Sequence, residues 1–454
     1  MNENKKTGIV IVGGGASGVL LAAQLLKTAD PALRVALVEK SGVFGRGLAY
    51  STDLDDHLLN VGARRMSAFH DEPDHFRQWL AGRGVAIGSS SLFFAPRRLY
   101  GDYLAEIASR LAQDEPVRLT LLHAEALSVT PAGSGVAVAL ASGEVLEADA
   151  AVLAVGHDTG SASAFPFAVR PGAPADTPLA DDASVLILGT GLSMIDTWLA
   201  LKAQGHRGTV TALSRRGLLP LPHLSARPEP LEGVDAPVGA SPARFAQWLR
   251  RLVRAHRAAG GDWQNVIDGL RPFNQRIWQA WDIEARRRFL RHAKAWWDVH
   301  RHRAAPQIHA RLKAALENGD LRLVAGRIED VIEGDRQAGN AFEVAVRRRG
   351  EAGAQRLAVA RIYDCTGIVR DLASGSLTVL RSLIERGLAR PDPLGLGLDV
   401  AQDCAVIDAT GAASDRIFAL GPLTRGALFE IEAVPDIRVQ AALLAERLTG
   451  RGAV

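Results

Sequence analysis

The chain is poor in cysteine: Cys365 and Cys404 are its only two among 454 residues, and they lie far apart. That excludes a disulfide framework, a C-x-x-C redox pair and a cysteine zinc site. No apolar run reaches about 18 residues, so no membrane-spanning helix is expected and the cytoplasm is the expected location. Charge of one sign is scarce overall, at a net +3. Arg, Lys and His nevertheless crowd between Arg244 and Lys313. Such a stretch suits a solvated helical face, or contact with an acidic substrate, a nucleotide phosphate or nucleic acid. The tryptophans interleaved there fall on apolar stripes, so packing is expected rather than nucleic-acid binding. His292, His300, His302 and His309 have no acidic cluster beside them, and no metal site is expected. No nucleophile elbow occurs. The length fits two or three domains.

What the chain does have is glycine in a telling place. Gly8 to Val12 form a short apolar run rich in β-branched residues, which reads as a buried strand. Gly13, Gly15 and Gly18 follow at the G-x-G-x-x-G spacing, then an apolar helix to Leu26 and a second strand ending in Glu39. The first glycine permits the tight turn, the second lets a pyrophosphate approach the backbone, and the third lets helix and strand pack closely. Free N–H groups at the helix start favour phosphate, and Glu39 can accept ribose hydroxyls. Lys5 and Lys6 before an apolar stretch would suit a signal peptide. Three consecutive glycines, no plausible cleavage site and a second strand argue against one.

The pattern recurs at residues 184–217, with Gly189-Thr190-Gly191 after a strand and Met194 at the third fingerprint position. Two fingerprints imply two dinucleotide sites, most naturally a flavin and a nicotinamide. The second copy ends in Ser214-Arg215-Arg216 where the first has Glu39, and such residues suit a 2′-phosphate, which favours NADPH over NADH. The expected fold class is therefore α/β, with two Rossmann-like dinucleotide-binding domains, a helical insertion and a small β-meander.

The expected division is 1–170 for the first part of an FAD domain, 180–335 for an NADP domain, and 336–454 for the rest of the FAD domain. A Pro/Ala/Gly/Ser-rich linker is expected at 160–182. Short strands at 119–122, 126–129 and 136–140 suggest the meander. From Ser241 to Asn318 the period is helical, with Ser241 as N-cap and Pro242 at N1. Its many aromatic residues suggest an insertion that walls off a pocket. A last helix is expected near Pro435, its N-terminus facing the pyrimidine end of a flavin. Besides the fingerprint residues, Ala16, Ser17, Lys40, Asn60, Met66, Gly156, Leu192, Ser193, Thr366, Gly367 and Gly421 are expected cofactor contacts. Asn274, Arg276 and His300 are the candidate catalytic groups, with His223 and His302 as further polar candidates.

Several stretches, VGGGASG, GLAYS with HLLNVGARRMS, FAPRRLYGDYL, LGTGLSMID, RRRFLRHAKAWWDVHRHRAAP, DCTG and LGPLTRGALFEIEAVPDIRVQ, carry a resemblance over residues 12–440. The chain resembles the two-dinucleotide-fold flavoproteins. More narrowly, it is similar to a bacterial family usually labelled FAD/NAD(P)-binding protein, related to flavin-containing and N-hydroxylating monooxygenases. The resemblance implies FAD on Gly13, Gly15, Gly18 and Glu39, and NADPH on Gly189, Gly191 and Arg215. Two features depart from its wider relatives. No cysteine pair stands beside the flavin, and no F-x-G-x-x-x-H segment is recognisable near Gly156. The expected activity is an NADPH-dependent flavin monooxygenase acting, with molecular oxygen, on a small polar or anionic metabolite such as an amine or amino acid. The alternatives are a flavin reductase or dehydrogenase serving another acceptor, and a non-catalytic FAD-binding regulator.

Overall fold

The computed structural model describes residues 7–27, 30–87, 92–157, 163, 165–173, 178–224, 230–334, 341–367, 372–373 and 375–450. Part of the expected linker at 160–182 lies outside them. Continuous apolar runs such as those of β1 (Thr7–Val12) and β2 (Val35–Glu39) suit strands buried on both faces of a parallel sheet. Between them runs α1 (Ala16–Leu26), and α2 (His75–Gly82) and α3 (Arg97–Asp114) follow β2. Next come β3 (Leu119–His123), β4 (Ala126–Ala132), β5 (Gly135–Leu140) and β6 (Val145–Leu153).

The chain then opens a second unit with β7 (Val185–Leu188), α4 (Leu192–Ala203) and β8 (Val210–Ser214). The helical region comprises α5 (Pro242–Ala258), α6 (Trp263–Gly269), α7 (Asn274–Ala280), α8 (Ile283–Arg288), α9 (Lys294–Arg301) and α10 (Pro306–Asn318). Strands β9 (Leu321–Glu333), β10 (Phe342–Arg348), β11 (Ala354–Val359) and β12 (Arg361–Asp364) close this unit. The end of the chain supplies α11 (Thr378–Glu385), β13 (Ala405–Ile407), β14 (Ala413–Ala419) and α12 (Val434–Leu448).

The first sheet has the order β13-β14-β6-β1-β2-β3, with β5 joining β6 and β4 joining β5. The second has the order β11-β10-β9-β8-β7-β12. In each sheet the fingerprint strand sits inside the parallel core, β1 between β2 and β6, β7 between β8 and β12. Helices α1, α3 and α12 bury their apolar sides on one face of the first sheet, around Leu21, Leu25, Tyr103, Leu104 and Ala441. Helices α4 and α10 do the same on the second, around Trp198, Leu199, Ile308 and Leu312.

Three expectations change. First, β10, β11 and β12 belong to the second sheet, so residues 342–364 stay with the second unit and the chain returns to the first only after Asp364. Their short apolar runs carry no mark of which sheet they join; pairing with β9 and β7 decides it. Second, the strand at 119–123 is no part of a meander but the parallel edge beside β2, the meander being β4, β5 and the start of β6. Third, α10 is the crossover helix returning from the insertion to β9, because Ile308, Leu312 and Ala315 pack on the sheet. Within the insertion, α8 and α9 are joined by a π-helical turn, Phe289–Ala293.

Candidate functional site

Two cradles and the cleft between the units

The two fingerprints fold alike. Gly13 has φ +107°, and a Cβ there would lie 2.5 Å from the Ala154 carbonyl oxygen. Gly189 has φ +100°, and its Cβ would lie 2.4 Å from the Cys365 carbonyl oxygen. Each turn therefore requires glycine, by conformation and by space. Gly15 and Gly191 are the N-caps of α1 and α4, both extended, and neither helix has a side-chain cap or an acid in its first turn. The N–H groups that open each helix, at Ala16 and Ser17 and at Leu192 and Ser193, are thus available to a phosphate. At the third position the copies diverge. A Cβ on Gly18 would lie 2.0 Å from the Gly13 oxygen, whereas Met194 is buried at that place in the second copy. Helix α4 cannot approach its strand as closely as α1 does.

Glu39 ends β2 with both carboxylate oxygens in use. Its Oε2 accepts the Gly14 N–H at 2.8 Å, and Oε1 accepts the Ser41 N–H at 2.9 Å and its hydroxyl at 2.8 Å. This fixes the acid beside the turn, with lone pairs left for a ribose. Lys40 is exposed. Gly421 sits against the α1 N-terminus, where a Cβ would lie 2.5 Å from Ser17 Oγ, and its N–H donates to Gln440 Oε1 at 2.8 Å. Gly156 has φ +72° beyond β6. Thr366 and Gly367 follow β12 and so belong beside the second cradle, where Arg170 donates to the Gly367 carbonyl at 2.5 Å.

The cleft between the units has a volume of about 1530 Å³. Asn60, Met66 and Val434 line it from the first unit; Gly189, Gly191, Ser193, Ser214, Arg215 and Arg216 line it from the second. Of the three residues expected to meet a 2′-phosphate, two have other partners. Ser214 Oγ bonds Thr190 Oγ1 at 2.9 Å and accepts the Gly217 N–H at 3.0 Å. Arg216 donates to the His292 carbonyl at 3.0 Å, within the π-helical turn. Arg215 has no side-chain partner among the described residues.

The insertion holds the loop before α12

None of the three catalytic candidates lines the cleft. Arg276 is exposed, and His300 bonds the Trp296 carbonyl at 2.7 Å. Asn274 is buried and donates to Glu430 Oε2 at 2.6 Å. His223 bonds the Asn60 carbonyl at 3.0 Å, and burial pushes its pKa down to about 4.

The tryptophans do not wall the cleft either. Trp278, Trp281 and Trp297 pack with Phe245, Phe289 and Phe429, leaving a cavity of only about 20 Å³. Trp281 Nε1 donates to the Ala240 carbonyl at 2.7 Å, whereas the other two reach the loop that precedes α12. Trp278 Nε1 donates to the Gly426 carbonyl at 2.8 Å, and its ring stacks on Phe429 at 4.5 Å. Trp297 Nε1 donates to Glu430 Oε1 at 2.5 Å, and Arg301 Nε donates to Oε2 at 3.1 Å. Glu430 is buried at φ +64°, a conformation uncommon for a residue with a side chain. Burial would raise its carboxyl, but Arg301 and these hydrogen bonds hold it below its ordinary value.

What the insertion shows the cleft is one face of α9 and its C-cap, Lys294, Ala295, Asp298, Val299 and His302, with Lys294 paired to Asp298 at 2.5 Å. The first unit adds Arg425 and Glu432, an ion pair just before the N-terminus of α12. Burial works against the Glu432 carboxylate, yet Arg425, His157 and His302 hold its pKa down to about 2. Of these polar residues His302 is among the candidates named from the sequence and lines the cleft, whereas Lys294, Asp298, Arg425 and Glu432 escape the fingerprint search. Only the i, i+4, i+8 spacing with His302 marks Lys294 and Asp298 in the sequence. Cys365 lines the cleft too, but burial pushes its thiol up to about 12, and Cys404 lies apart in the first unit's core.

Comparison with known proteins

Two Rossmann-like dinucleotide-binding domains with a shared cleft define the class. Residues 10–158 match the family profile described as FAD-NAD(P)-binding, so this part of the chain is an FAD-NAD(P)-binding domain. No curated protein sequence matches the chain. Solved structures share the fold over nearly its whole length. L-lysine 6-monooxygenase from Pseudomonas syringae is 16% identical, with 98% of this chain and 100% of that one covered and a TM-score of 0.63. Ornithine N-hydroxylase from Kutzneria sp. 744 is 15% identical, with 99% and 100% covered and a TM-score of 0.59. Bacillithiol disulfide reductase from Staphylococcus aureus is 12% identical, with 99% of each chain covered and a TM-score of 0.55. At these identities the likeness is one of fold.

Proposed function

We propose that the chain is an FAD-dependent NADPH oxidoreductase of the single-component monooxygenase kind, acting on a small polar metabolite such as an amine or amino acid. One observation carries this reading. Asn60, Met66 and Val434 of the first unit and the second cradle, Gly189 to Ser193, line the same cleft. FAD fits the first cradle on Gly13, Gly15, Ala16, Ser17, Gly18 and Glu39, where α1 has no side-chain cap of its own and Glu39 stands fixed beside the turn. NADPH fits the second on Gly189, Gly191, Leu192, Ser193 and Arg215. A bound flavin supplies hydride acceptance from the nicotinamide and electron delivery to an acceptor.

The chain's own residues then have separable tasks. The α1 and α4 N-termini bind phosphate, and Arg215 holds a 2′-phosphate. The N-terminus of α12 brings positive potential to the cleft at Val434. Arg425 keeps Glu432 ionised there, so this carboxylate accepts hydrogen bonds and does not donate a proton at neutral pH. The likeness in fold to N-hydroxylating enzymes supports the monooxygenase reading. A disulfide reductase reading lacks its cysteine pair, since Cys365 and Cys404 are each unpaired.

The Lys294–Asp298 edge of α9 favours a second reading, in which the reduced flavin serves a soluble acceptor without oxygenation. The deciding experiment supplies NADPH and oxygen with candidate amines and amino acids and identifies the products. A hydroxylated product supports the first reading. Stoichiometric hydrogen peroxide with unchanged substrate supports the second.

A further inference from the structure

On the second cradle, the turn after β8 and the neighbouring strand β9 bring two arginines to one stretch of the cleft. β8 and β9 run parallel, with Ser214 beside Ala325. Beyond Ser214 the chain turns tightly, and the Gly217 N–H returns to Ser214 Oγ at 3.0 Å. Gly217 has φ +60°, and a Cβ there would lie 3.1 Å from the Ala325 Cβ. The turn that carries Arg215 is therefore pressed against β9 at Ala325. Arg327 stands two residues further along β9, and Arg215, Gly326 and Arg327 all line the cleft.

Arg327 is short of acid. Glu329 lies 3.9 Å from its guanidinium. Arg347 of β10, directly opposite Arg327 in the ladder, lies closer to that carboxylate, at 2.7 Å. One acid thus serves two like charges that face each other across a strand pair, which is unfavourable unless an anion joins them. Arg327 makes no side-chain hydrogen bond to the described residues, and its side chain is 66% exposed. Its fork of donors is open to a ligand in the cleft.

A 2′-phosphate carries about −1.5 to −2 charges at pH 7. One guanidinium leaves it partly unneutralised, whereas two can each bond it through a planar fork. Ser214 and Arg216 are taken by other partners. We propose that Arg327 and Arg215 together clamp the 2′-phosphate of NADPH, so that Arg327, from a strand outside the fingerprint, is a specificity-determining residue for the cofactor. This rests on the nicotinamide reading of the second cradle.

The test uses the full-length flavin-loaded protein, titrated calorimetrically with 2′,5′-ADP, which carries the 2′-phosphate, and with 5′-AMP, which lacks it. The unmodified protein is expected to bind 2′,5′-ADP the more tightly. Arg327→Gln is expected to weaken 2′,5′-ADP roughly 10-fold or more and to leave 5′-AMP unchanged, which also shows that the cradle is intact. Arg322→Gln, at an exposed arginine on the same strand outside the cleft lining, is expected to change neither. Unchanged 2′,5′-ADP affinity in Arg327→Gln, an equal loss of 5′-AMP affinity, or an equal loss in Arg322→Gln would overturn the clamp. So would an unmodified protein that does not prefer 2′,5′-ADP. Flavin reduction by NADPH and by NADH is followed on the same preparations. Reduction without that preference removes only the clamp; the expected binding pattern without reduction by either cofactor removes the oxidoreductase reading and leaves the clamp standing.

Discussion

Arg215 and Glu430 show how differently two charged side chains act in one molecule. Arg215 faces the cleft with no protein partner among the described residues, so a phosphate there meets a guanidinium that need not first leave another bond. A charge-assisted hydrogen bond of this kind contributes about 1.5–3 kcal/mol. Arg215→Ala is expected to raise the KM for NADPH roughly 10- to 100-fold and to leave the KM for NADH nearly unchanged, as steady-state kinetics with both cofactors would show. Glu430 is the reverse case, a buried acid that touches no open space and fixes Asn274, Trp297 and Arg301. Glu430→Gln keeps the shape but leaves Arg301 buried and unpaired, a change that costs about 3–5 kcal/mol. Denaturant melts should show that loss. Asn274 was legible in the sequence only as a polar residue on a helix; its partner lies 156 residues away, and no local pattern carries that.

At the scale of elements, strand–turn–helix units are the part of this protein that sequence reads best. Their signals are short-range: apolar runs set the strands, and glycines sit where φ is positive or a Cβ would strike backbone. Gly18→Ala would drive a methyl to 2.0 Å from the Gly13 oxygen. It is expected to destabilise the protein by about 1–3 kcal/mol and to lower its flavin content after purification, both measurable by melting and absorbance. The Ser241 and Pro242 start of α5 is equally local and is found where the capping rule puts it, with Ser241 Oγ accepting the Arg244 N–H. The insertion is where local reading stops. Its aromatic stripes signal burial for Trp278, Trp281 and Trp297 but not for Trp296, which is exposed, and they do not tell what the buried rings pack against. Trp278 and Trp297 hold the Gly426–Glu430 loop, and the cleft receives instead the Lys294–Asp298 edge of α9. Strand allegiance is similarly illegible, since β10 and β11 have the same alternating pattern as the meander on the first sheet.

Across the whole molecule, buried neutral histidines set the acid limit of stability. His223 is pushed down to about 4, and burial lowers His75, His157, His206 and His309 from their ordinary value. A histidine with a depressed pKa in the fold takes up a proton more readily once unfolded. Stability therefore falls as pH drops from about 6.5 towards 4, well before Glu432, held down to about 2, is protonated. Melting temperatures between pH 7 and pH 4 should fall steadily, and His223→Gln, which can still donate to the Asn60 carbonyl, should flatten part of that slope. A flavin on the first cradle and a reduced nicotinamide on the second are expected to meet in the cleft that both units line. Anaerobic rapid mixing of the purified protein with NADPH tests this meeting most directly. The expected result is a yellow protein whose visible flavin absorbance bleaches in a fast, saturable phase, much faster with NADPH than with NADH. A protein that carries no FAD and takes up none, or a bound flavin that NADPH leaves oxidised, would contradict the account.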